Sequence, residues 1–379
     1  MNKRILLINK FYAPSVGGIE TAVQQYAHWY KDLGCSVTVL CCEHRRSWQT
    51  KKETVSGIEV IRAGSFGNLL SVPISVAFFL HFLRLIRQAD IVHINLQFPW
   101  ASFAFCLFQK LISGKKIVSY HCDVYRQHYL KRITYFFDSW ATRIADTVIV
   151  GSPVLRECSQ VLGQISRPMD VLPYAVDAEY VSACLAKKAS TEIPDHFREE
   201  GYYLFFGRLV PYKGTEVMDQ AFRRLMSEGR PINLMVFGVG PEEERFKALA
   251  NEFPVRICFV NEVLSDVDKY HLLKDCRAFL FPSVFYSEAF GITQLDAMAC
   301  SKPIVNCKLG TGVNWVARDC EGAISLTPGD YEALAETIIS LQNNMYDLNA
   351  LGEEGLERYQ TLFTDAVVRS AFYKIVSRF

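Results

Sequence analysis

The segment FPSVFYSEAFGITQLDAMACSKP, residues 281–303, is where a strand end, a loop and a helix meet. Residues 279–281 are apolar and typical of the end of a buried strand, and Pro282 breaks that strand. Helical spacing then follows, with apolar residues at Ile292, Leu295 and Ala299. A strand that leads through a loop into a helix is the repeating unit of α/β proteins.

Two acids in this segment keep a fixed spacing, Glu288 in the loop and Asp296 in the helix. If the loop ends near Gly291, Glu288 lies just before the helix N-terminus, where backbone N–H groups favour anions. Asp296 lies about two turns away. One carboxylate can then face a ligand at the helix start while the other reaches a neutral polyol. A loop acid beside a solvated helix acid is the alternative that the spacing alone leaves open.

The length and composition predict two domains in a reducing compartment. A chain of 379 residues exceeds one hydrophobic core of common size, and half of its residues are hydrophobic. The 12 cysteines are scattered, without a CxxC pair or a Cys/His cluster at metal spacing, which favours buried apolar cysteines. The apolar run at 5–8 is too short for a secretory signal, so we expect a cytoplasmic protein.

The net charge of +1 conceals two halves of opposite sign. Residues 1–190 hold 22 Lys and Arg against 13 Asp and Glu, a balance of +9, and the remainder has a balance of −8. A basic half can approach nucleic acid or an anionic membrane surface. No nucleic-acid-binding motif accompanies it, so we expect no nucleic-acid partner.

Short apolar strand patterns alternate with helical or loop segments in both halves of the chain. In the first half they are Arg4–Asn9, Val37–Cys41, Ile58–Ile61, Ile91–Asn95, Ile117–His121 and Thr147–Gly151. In the second half they are Tyr202–Phe206, Ile232–Phe237, Arg256–Val260, Ala278–Phe281, Pro303–Asn306 and Ala323–Leu326. This alternation predicts an α/β fold of two Rossmann-like domains with parallel sheets, whose ligands bind at the carboxyl ends of the strands.

Candidate ligand-binding residues of the first half follow its strands. Gly17 and Gly18 precede a helical pattern, and a glycine loop at a helix start lets backbone approach a phosphate, although a simple turn is the alternative. His121 ends a strand, as a ligand contact or as a satisfied core histidine. His93 is the second candidate by position.

In the second half, the segment GRLVPYKG at 207–214 places Arg208 at a strand end and Lys213 across a short loop. Two fixed cations beside a helix start suit a diphosphate group. Gly238 and Gly240 follow the next strand, where they line a base pocket or serve as turn glycines.

The acid pair Glu288 and Asp296, together with GRLVPYKG, resembles the signature of the GT-B glycosyltransferases of family 4. In that family two glutamates are separated by seven residues, so Asp296 is one methylene shorter than usual. A second departure is Tyr174-Ala175, where the family usually has Asn-Gly. The loop LGTGVNWV at 309–316 is similar to loops of bacterial O-antigen-type mannosyltransferases.

The resemblance implies a role for each matched residue. Arg208 and Lys213 bind the leaving diphosphate. Glu288 and the backbone after it hold the sugar being transferred, and His121 contacts the same sugar. Asp296 accepts hydrogen bonds from the ribose. The glycine loop lies against the diphosphate, and Val239 lines the base pocket between its two glycines. Donor binding is thus assigned to the following residues: Gly17, Gly18, Arg208, Lys213, Gly238, Gly240, Glu288, Phe290, Gly291, Ile292 and Asp296. His121, Glu288, Arg208 and Lys213 are the catalytic candidates.

A further acid pair, Asp266 and Asp268, forms a DxD, a pattern that holds a divalent metal in GT-A glycosyltransferases. Ser265 precedes it, as at a capped helix start with acids against the dipole. We interpret the pair as a cap and predict neither a metal site nor a cofactor.

Two segments are candidates for contact with a membrane. The apolar run Leu69–Arg87 is interrupted by polar residues and too short for a span, so a core helix or a membrane-lying helix is expected. Residues 126–143 combine basic and aromatic side chains, which suit a helix in the headgroup layer or a core helix with a basic face.

The resemblance implies three parts: an acceptor-binding domain at 1–180, a nucleotide-sugar-binding domain at 181–360, and a C-terminal helix at 361–379 that crosses back. The expected reaction is metal-independent, retaining transfer of a hexose, with GDP-mannose as donor and a polyprenyl-diphosphate-linked glycan as acceptor. The protein would act at the inner face of the cytoplasmic membrane, in peripheral contact with anionic lipid. A GT-B nucleotide-sugar epimerase and a non-catalytic nucleotide-sugar-binding subunit are the alternatives.

Overall fold

The computed structural model describes residues 2–15, 17–69, 72–96, 98–123, 128–165 and 168–379. The chain divides into two compact units. The first unit comprises Met1–Tyr174 and Val368–Phe379, and the second comprises Ala175–Val367. Each unit contains its own parallel sheet, flanked by helices.

The sheet of the first unit has the strand order β10-β9-β8-β7-β1-β2-β4-β3. Its strands are β1 Arg4–Ile8, β2 Ser36–Cys42, β3 Lys51–Val55, β4 Ile58–Ala63, β7 Ile91–Leu96, β8 Lys115–Tyr120, β9 Thr147–Val150 and β10 Asp170–Val171. A separate short pair comprises β5 Asn68–Leu69 and β6 Val72–Pro73. Neighbouring strands of the large sheet run parallel, except that β3 pairs antiparallel with β4.

The helices of the first unit pack apolar faces on this sheet. They are α1 Gly18–Asp32, α2 Val76–Ile86, α3 Pro99–Leu107, α4 His128–Ile144 and α5 Pro153–Cys158. Buried strand residues such as Ile8 and Ile94 form one core with Phe82 and Phe105 from α2 and α3. Burial of such side chains contributes roughly 1.5–3 kcal/mol each.

The sheet of the second unit has the order β13-β12-β11-β14-β15-β17-β16. Its strands are β11 Tyr202–Phe206, β12 Asn233–Phe237, β13 Ile257–Val260, β14 Ala278–Phe281, β15 Ile304–Cys307, β16 Arg318–Asp319 and β17 Gly322–Leu326. Its helices are α6 Ala178–Leu185, α7 Asp195–Glu200, α8 Thr215–Ser227, α9 Glu243–Glu252, α10 Asp266–Asp275, α11 Thr293–Ala299, α12 Gly312–Val316, α13 Tyr331–Gln342 and α14 Leu348–Leu362. The last helix, α15 Asp365–Val376, begins in this unit and ends in the first.

Strand order reverses once in each sheet, between β1 and β7 in the first and between β11 and β14 in the second. In open parallel sheets the loops after such neighbouring strands diverge to opposite faces and leave a crevice for a ligand. The predicted strand patterns are confirmed, and with them the α/β fold of two Rossmann-like units. The polar edge strand β3, KKETV, is an addition that no apolar pattern marks.

The membrane-spanning interpretation finds no support within these described ranges, which contain no helix long and apolar enough to cross a bilayer. Within the apolar run at 69–87, Val76–Ile86 form α2, which is capped by the Ser75 hydroxyl. Phe78, Phe82 and Ile86 of that helix are completely buried. The run therefore supplies a core helix.

Candidate active site

The loops after β11 and β14 meet at the strand-order reversal of the second sheet. Gly214 ends a short 3₁₀ turn, Pro211–Lys213, with a φ of +75°. A side-chain carbon at Gly214 would collide with the carbonyl oxygen of Pro282. The glycine thus permits the close approach of two loops that carry Lys213 on one side and Glu288 on the other.

Lys213 and Glu288 form an ion pair, with Lys213 Nζ 2.5 Å from Glu288 Oε2. Both side chains are largely buried, at 14% and 13% exposed. Lys213 Nζ also lies 4.8 Å from the centroid of the Phe281 ring. The predicted phosphate-binding cation and the predicted sugar-binding acid are therefore neighbours.

Arg208 follows β11 at the same edge and is exposed. Its guanidinium donates a hydrogen bond of 2.7 Å to the hydroxyl of Tyr212. No carboxylate among the described residues pairs with Arg208. Its charge remains available for an anion, and the tyrosine fixes its orientation.

The same loop contains two serine hydroxyls that the sequence pattern did not identify as site groups. Within the described part of the chain, Ser283 Oγ and Ser287 Oγ are buried and have no hydrogen-bond partner. A buried polar group without a partner is destabilising by about 1–3 kcal/mol. Such groups beside a lysine, an arginine and an acid suit a polar ligand that completes their hydrogen bonds. Apart from their position after a strand, the sequence gives no signal that marks them.

Asp296 lies on α11 and is nearly completely buried. Its Oδ1 accepts a hydrogen bond of 2.8 Å from the Tyr270 hydroxyl and lies 3.1 Å from Lys269 Nζ. Burial alone would lower the pKa of Lys269, but the carboxylates of Asp296 and Asp266 raise it above its ordinary value. Oδ2 of Asp296 has no hydrogen-bond partner in the described ranges. One oxygen is thus fixed by the protein and the other is open to a ligand.

Phe290, Gly291 and Ile292 are three of the seven residues between these acids. The Phe290 ring is buried against Trp315 and Phe363, at centroid distances of 6.2 and 6.3 Å. Gly291 has a φ of +77°, and α11 begins two residues later.

Gly238 and Gly240 are required for the packing of two loops. A side-chain carbon at either position would collide with a backbone carbonyl oxygen of the neighbouring loop, that of Gly207 or Leu209. Val239 between them is 40% exposed. The two glycines allow the loop after β12 to lie against the loop that carries Arg208. Their assignment to a base pocket stays a prediction.

The DxD pair caps α10, as predicted. Ser265 Oγ accepts a hydrogen bond of 3.1 Å from the Asp268 backbone N–H and donates one of 2.6 Å to its carboxylate. Asp268 also accepts hydrogen bonds from Ser190 and Thr191. Burial would raise the pKa of Asp268, but these hydrogen bonds hold it well below its ordinary value. Among the described residues, no group of three His, Cys, Asp or Glu side chains is arranged to hold a metal.

In the first unit, His121 follows β8, and both of its ring nitrogens are occupied. Nε2 lies 3.1 Å from Asn95 Oδ1, and the amide of Asn95 donates to the carbonyl of Ile8. His121 Nε2 is therefore the N–H donor, and Nδ1 accepts from the Tyr174 hydroxyl at 2.7 Å. Burial lowers the pKa of His121 to about 4, so the ring is neutral at pH 7. Tyr174 is one of the residues at which the sequence departs from the family.

Asp123 and His93 also have protein partners. Asp123 accepts hydrogen bonds from the hydroxyls of Tyr120 and Ser159 and from the backbone N–H of Gln160. His93 lies within β7, completely buried, between the hydroxyls of Tyr30 and Ser119. His93 is therefore wrong as a second ligand candidate. Burial lowers its pKa to about 3, with a smaller contribution from His121.

The glycine loop precedes α1, whose first residue is Gly18. The carboxylate of Glu20 folds back against Gly17, where an added side chain would collide with it. The start of α1 is thus already approached by one negative charge, which favours that helix end.

Two family models together match most of the chain. Residues 16–180 match the model described as Glycosyltransferase Family 4, and residues 187–358 match Glycosyl transferases group 1. The division between the two matches falls shortly after the end of the first unit at Tyr174.

Similar proteins include the O-antigen chain mannosyltransferase C of Escherichia coli, 26% identical over 365 residues, with 95% of this chain and 94% of that protein covered. The D-rhamnosyltransferase WbpZ of Pseudomonas aeruginosa is 27% identical over 379 residues, with coverages of 95% and 92%. Among solved structures, Anabaena HepE in complex with UDP superposes with a TM-score of 0.75 at 16% identity, covering 99% of this chain and 100% of that chain.

Proposed function

Because the chain belongs to the group 1 glycosyltransferases of family 4, which have the GT-B fold, we propose that it is a retaining hexosyltransferase of surface-polysaccharide synthesis. The donor is a nucleoside diphosphate sugar, and the proposed donor is GDP-mannose. The acceptor is a hydroxyl group of a polyprenyl-diphosphate-linked glycan at an anionic membrane surface.

The ion pair of Lys213 and Glu288 beside Arg208 is the observation that carries this proposal. A glycosyl donor presents a diphosphate on one side of the bond to be broken and a neutral sugar on the other. Cations suit the diphosphate, and a carboxylate accepts hydrogen bonds from sugar hydroxyls. The 2.5 Å contact places these two kinds of group side by side at a single sheet edge.

In the proposed reaction the bond between the anomeric carbon and the diphosphate oxygen breaks, and a bond to the acceptor oxygen forms on the same face. The acceptor proton passes to an oxygen of the leaving diphosphate, so no enzymic base is required. Arg208 and Lys213 stabilise the charge that develops on this group. Ser283 and Ser287 are proposed to donate to donor oxygens, since neither hydroxyl is satisfied within the described protein.

The choice of sugar and acceptor draws on the similar proteins. Both curated relatives act in transfer of mannose or rhamnose, and one is named for the O-antigen chain. HepE was crystallised with UDP, which supports a nucleotide donor and leaves the base to be determined for this chain. We propose that Arg208 and Lys213 supply the positive charge that holds the donor diphosphate, and that turnover needs no metal.

Release of nucleoside diphosphate should be measured across a panel of GDP-, UDP- and ADP-sugars, with and without polyprenyl-diphosphate-linked acceptors. We expect acceptor-dependent release from GDP-mannose, an axial glycosidic product, and an unchanged rate in EDTA. Turnover without acceptor would instead identify an epimerase. Donor binding without release would identify a binding subunit. Loss of turnover in EDTA, restored by manganese, would contradict the metal-independent reaction.

A further inference from the structure

A groove runs along the outer face of α4 in the first unit, apart from the polar edge that follows the strands. Its volume is about 560 Å³, within the range of about 300–1,000 Å³ that small-ligand sites occupy. The groove is lined by Arg132, Tyr135, Phe136, Ser139, Trp140, Arg143 and Gln164. All but Gln164 belong to α4, and their spacing follows one face of a helix.

The groove is apolar in its middle and cationic at both ends. Phe136 is 58% exposed, and the ring of Trp140 packs beside it at a centroid distance of 5.9 Å. Arg132 and Arg143 lie three turns apart on the same face, about 16 Å along the axis. Neither arginine pairs with a carboxylate among the described residues. Arg143 instead donates a hydrogen bond of 2.9 Å to the neutral side chain of Gln164.

The single acid within α4, Asp138, leaves this positive charge uncompensated. Its carboxylate lies on the buried face of the helix, where it accepts a hydrogen bond from Ser102. Burial raises the pKa of Asp138 to about 7, so much of the carboxyl group is neutral at neutral pH. The groove therefore presents two guanidinium groups and no anion.

Ser139 provides an independent sign of a ligand. It lies on the wall of the groove and is only 6% exposed, yet its hydroxyl has no hydrogen-bond partner in the part of the chain that the structure describes. Arg143 is one turn further along the same face. Gln164 is already satisfied by protein, because its amide oxygen accepts from Arg143 and its amide nitrogen donates to the Tyr135 hydroxyl. The hydroxyl of Ser139 and the guanidinium of Arg143 remain on the same wall, where an anionic group with several oxygen acceptors would suit both.

We propose that this groove binds one anionic phospholipid from the membrane that carries the acceptor, an inference that rests on the proposed use of a lipid-linked acceptor. The headgroup phosphate lies at Arg143 and Ser139. The upper part of an acyl chain lies across Phe136 and Trp140. Arg132 meets a neighbouring headgroup. Aromatic side chains between basic ones suit this interfacial position.

The groove is coupled to the sheet edge that holds His121. Tyr135 on its wall donates a hydrogen bond of 3.0 Å to the carbonyl of Gln160, whose backbone N–H donates to Asp123 at 2.9 Å. Asp123 is two residues from His121. A lipid in the groove would therefore hold the membrane surface next to the acceptor side of the first unit.

Binding of the full chain to vesicles tests the site without donor, acceptor or turnover. Vesicles of phosphatidylcholine alone are compared with vesicles in which about a third of the lipid is phosphatidylglycerol, since anionic headgroups attract basic residues. We expect Arg132→Gln and Arg143→Gln each to weaken partitioning onto the anionic vesicles about fivefold. Phe136→Ser should weaken it about tenfold.

The matched control is the pair Arg45→Gln and Arg46→Gln, two exposed arginines of the same unit outside the groove. Equal losses in this pair and in the groove variants would show a diffuse charge effect and overturn the proposal. Equal binding of wild type to both vesicle types would also overturn it.

A short-chain phosphatidylglycerol below its micelle concentration tests for one bound lipid. Wild type should bind it in a saturable manner, and Ser139→Ala should lose about fivefold in affinity through one hydrogen bond. Competition by inorganic phosphate alone at similar concentration would show a phosphate site and contradict the lipid. Tighter binding of a polyprenyl diphosphate would contradict a phospholipid occupant and assign the groove to the acceptor.

The lipid-site proposal and the transferase proposal can fail independently. Groove-dependent vesicle binding in a protein that transfers no sugar would leave this inference standing and remove the transferase proposal. Transfer to a water-soluble acceptor analogue by a protein that ignores vesicles would do the reverse.

Discussion

At the carboxyl edge of the second sheet, the hydroxyls of Ser283 and Ser287 are buried without hydrogen-bond partners in the described protein, and Lys213 forms an ion pair with Glu288. At the corresponding edge of the first sheet, both ring nitrogens of His121 and both carboxylate oxygens of Asp123 are bonded to protein. Among the described residues, the polar side chains of His121 and Asp123 are satisfied by protein, whereas the hydroxyls of Ser283 and Ser287 are not. We infer that the second edge binds the reacting ligand and that the first holds a scaffold.

The largest expected effect would come from the cations of the second edge. Arg208→Ala and Lys213→Ala should each lower kcat by about 10²-fold or more, because a preorganised donor stabilises charge that develops in the transition state. Steady-state transfer rates measure this. Arg230→Ala, an exposed arginine whose recorded ion pair is with Glu228, is the matched control and should leave kcat unchanged. An unchanged kcat in both site variants would remove these residues from the reaction.

Asp296 of the second edge has only one oxygen fixed by the protein. Asp296→Ala should weaken binding of nucleoside diphosphate by about 1.5–3 kcal/mol, the contribution of hydrogen bonds to a charged group. Asp296→Glu should bind with near wild-type affinity only if Lys269 shifts to admit the longer side chain. Calorimetric titration decides this point. Equal affinity in wild type and Asp296→Ala would show that this acid does not touch the ribose.

The buried groups of the first unit should give a distinctive pH dependence of stability. Folding lowers the pKa of His93 to about 3 and that of His121 to about 4, and raises that of Asp138 to about 7. Between pH 4 and 6.5 unfolding thus binds about two protons on the histidines and releases about one from Asp138. The free energy of unfolding should rise with pH by about 1.4 kcal/mol per pH unit.

Two variants separate these contributions. His121→Gln should flatten the dependence, and Asp138→Asn should about double its slope, because it removes the opposing proton. Urea unfolding followed by tryptophan fluorescence in a Trp315→Phe background reports the first unit, which contains the other four tryptophans. Parallel slopes in all three proteins would contradict the neutral, buried state of His121.

The smallest effect should come from the serine hydroxyls of the second edge. Ser283→Ala and Ser287→Ala each remove one proposed hydrogen bond to the donor, so the KM for donor should rise about fivefold. Stability should not fall, because no protein hydrogen bond is lost and a buried group without a partner is removed. A fall in thermal stability with an unchanged KM would assign both hydroxyls to the protein interior.

The sequence predicted those elements whose signal is local. Apolar strands such as Tyr202–Phe206 and the Ser265 cap of α10 appear in the structure where their patterns indicated. The edge strand β3 was missed because its residues, KKETV, are mostly polar and gain their structure from pairing with β4.

Contacts between residues that are far apart in the chain could not be predicted from the sequence. The pairing of Lys213 with Glu288 and that of Lys269 with Asp296 depend on loops brought together by the sheet order. The resemblance singled out Lys213, Glu288 and Asp296, yet it gave no indication that Lys269 and Tyr270 hold the shortened acid. Tyr174 was noted only as a departure, and its hydrogen bond explains why a tyrosine stands there.

The most direct test of the difference between the two edges is calorimetric titration of GDP, and of UDP in parallel, into wild type, Arg208→Ala and His121→Gln. The nucleoside diphosphate carries the charge of the leaving group, so it reports the diphosphate site without the need for an acceptor. We predict that Arg208→Ala weakens binding at least about tenfold, through loss of a charge-assisted hydrogen bond. His121→Gln should bind with wild-type affinity. Loss of affinity in His121→Gln, with Arg208→Ala unaffected, would contradict the assignment of the donor diphosphate to the second unit.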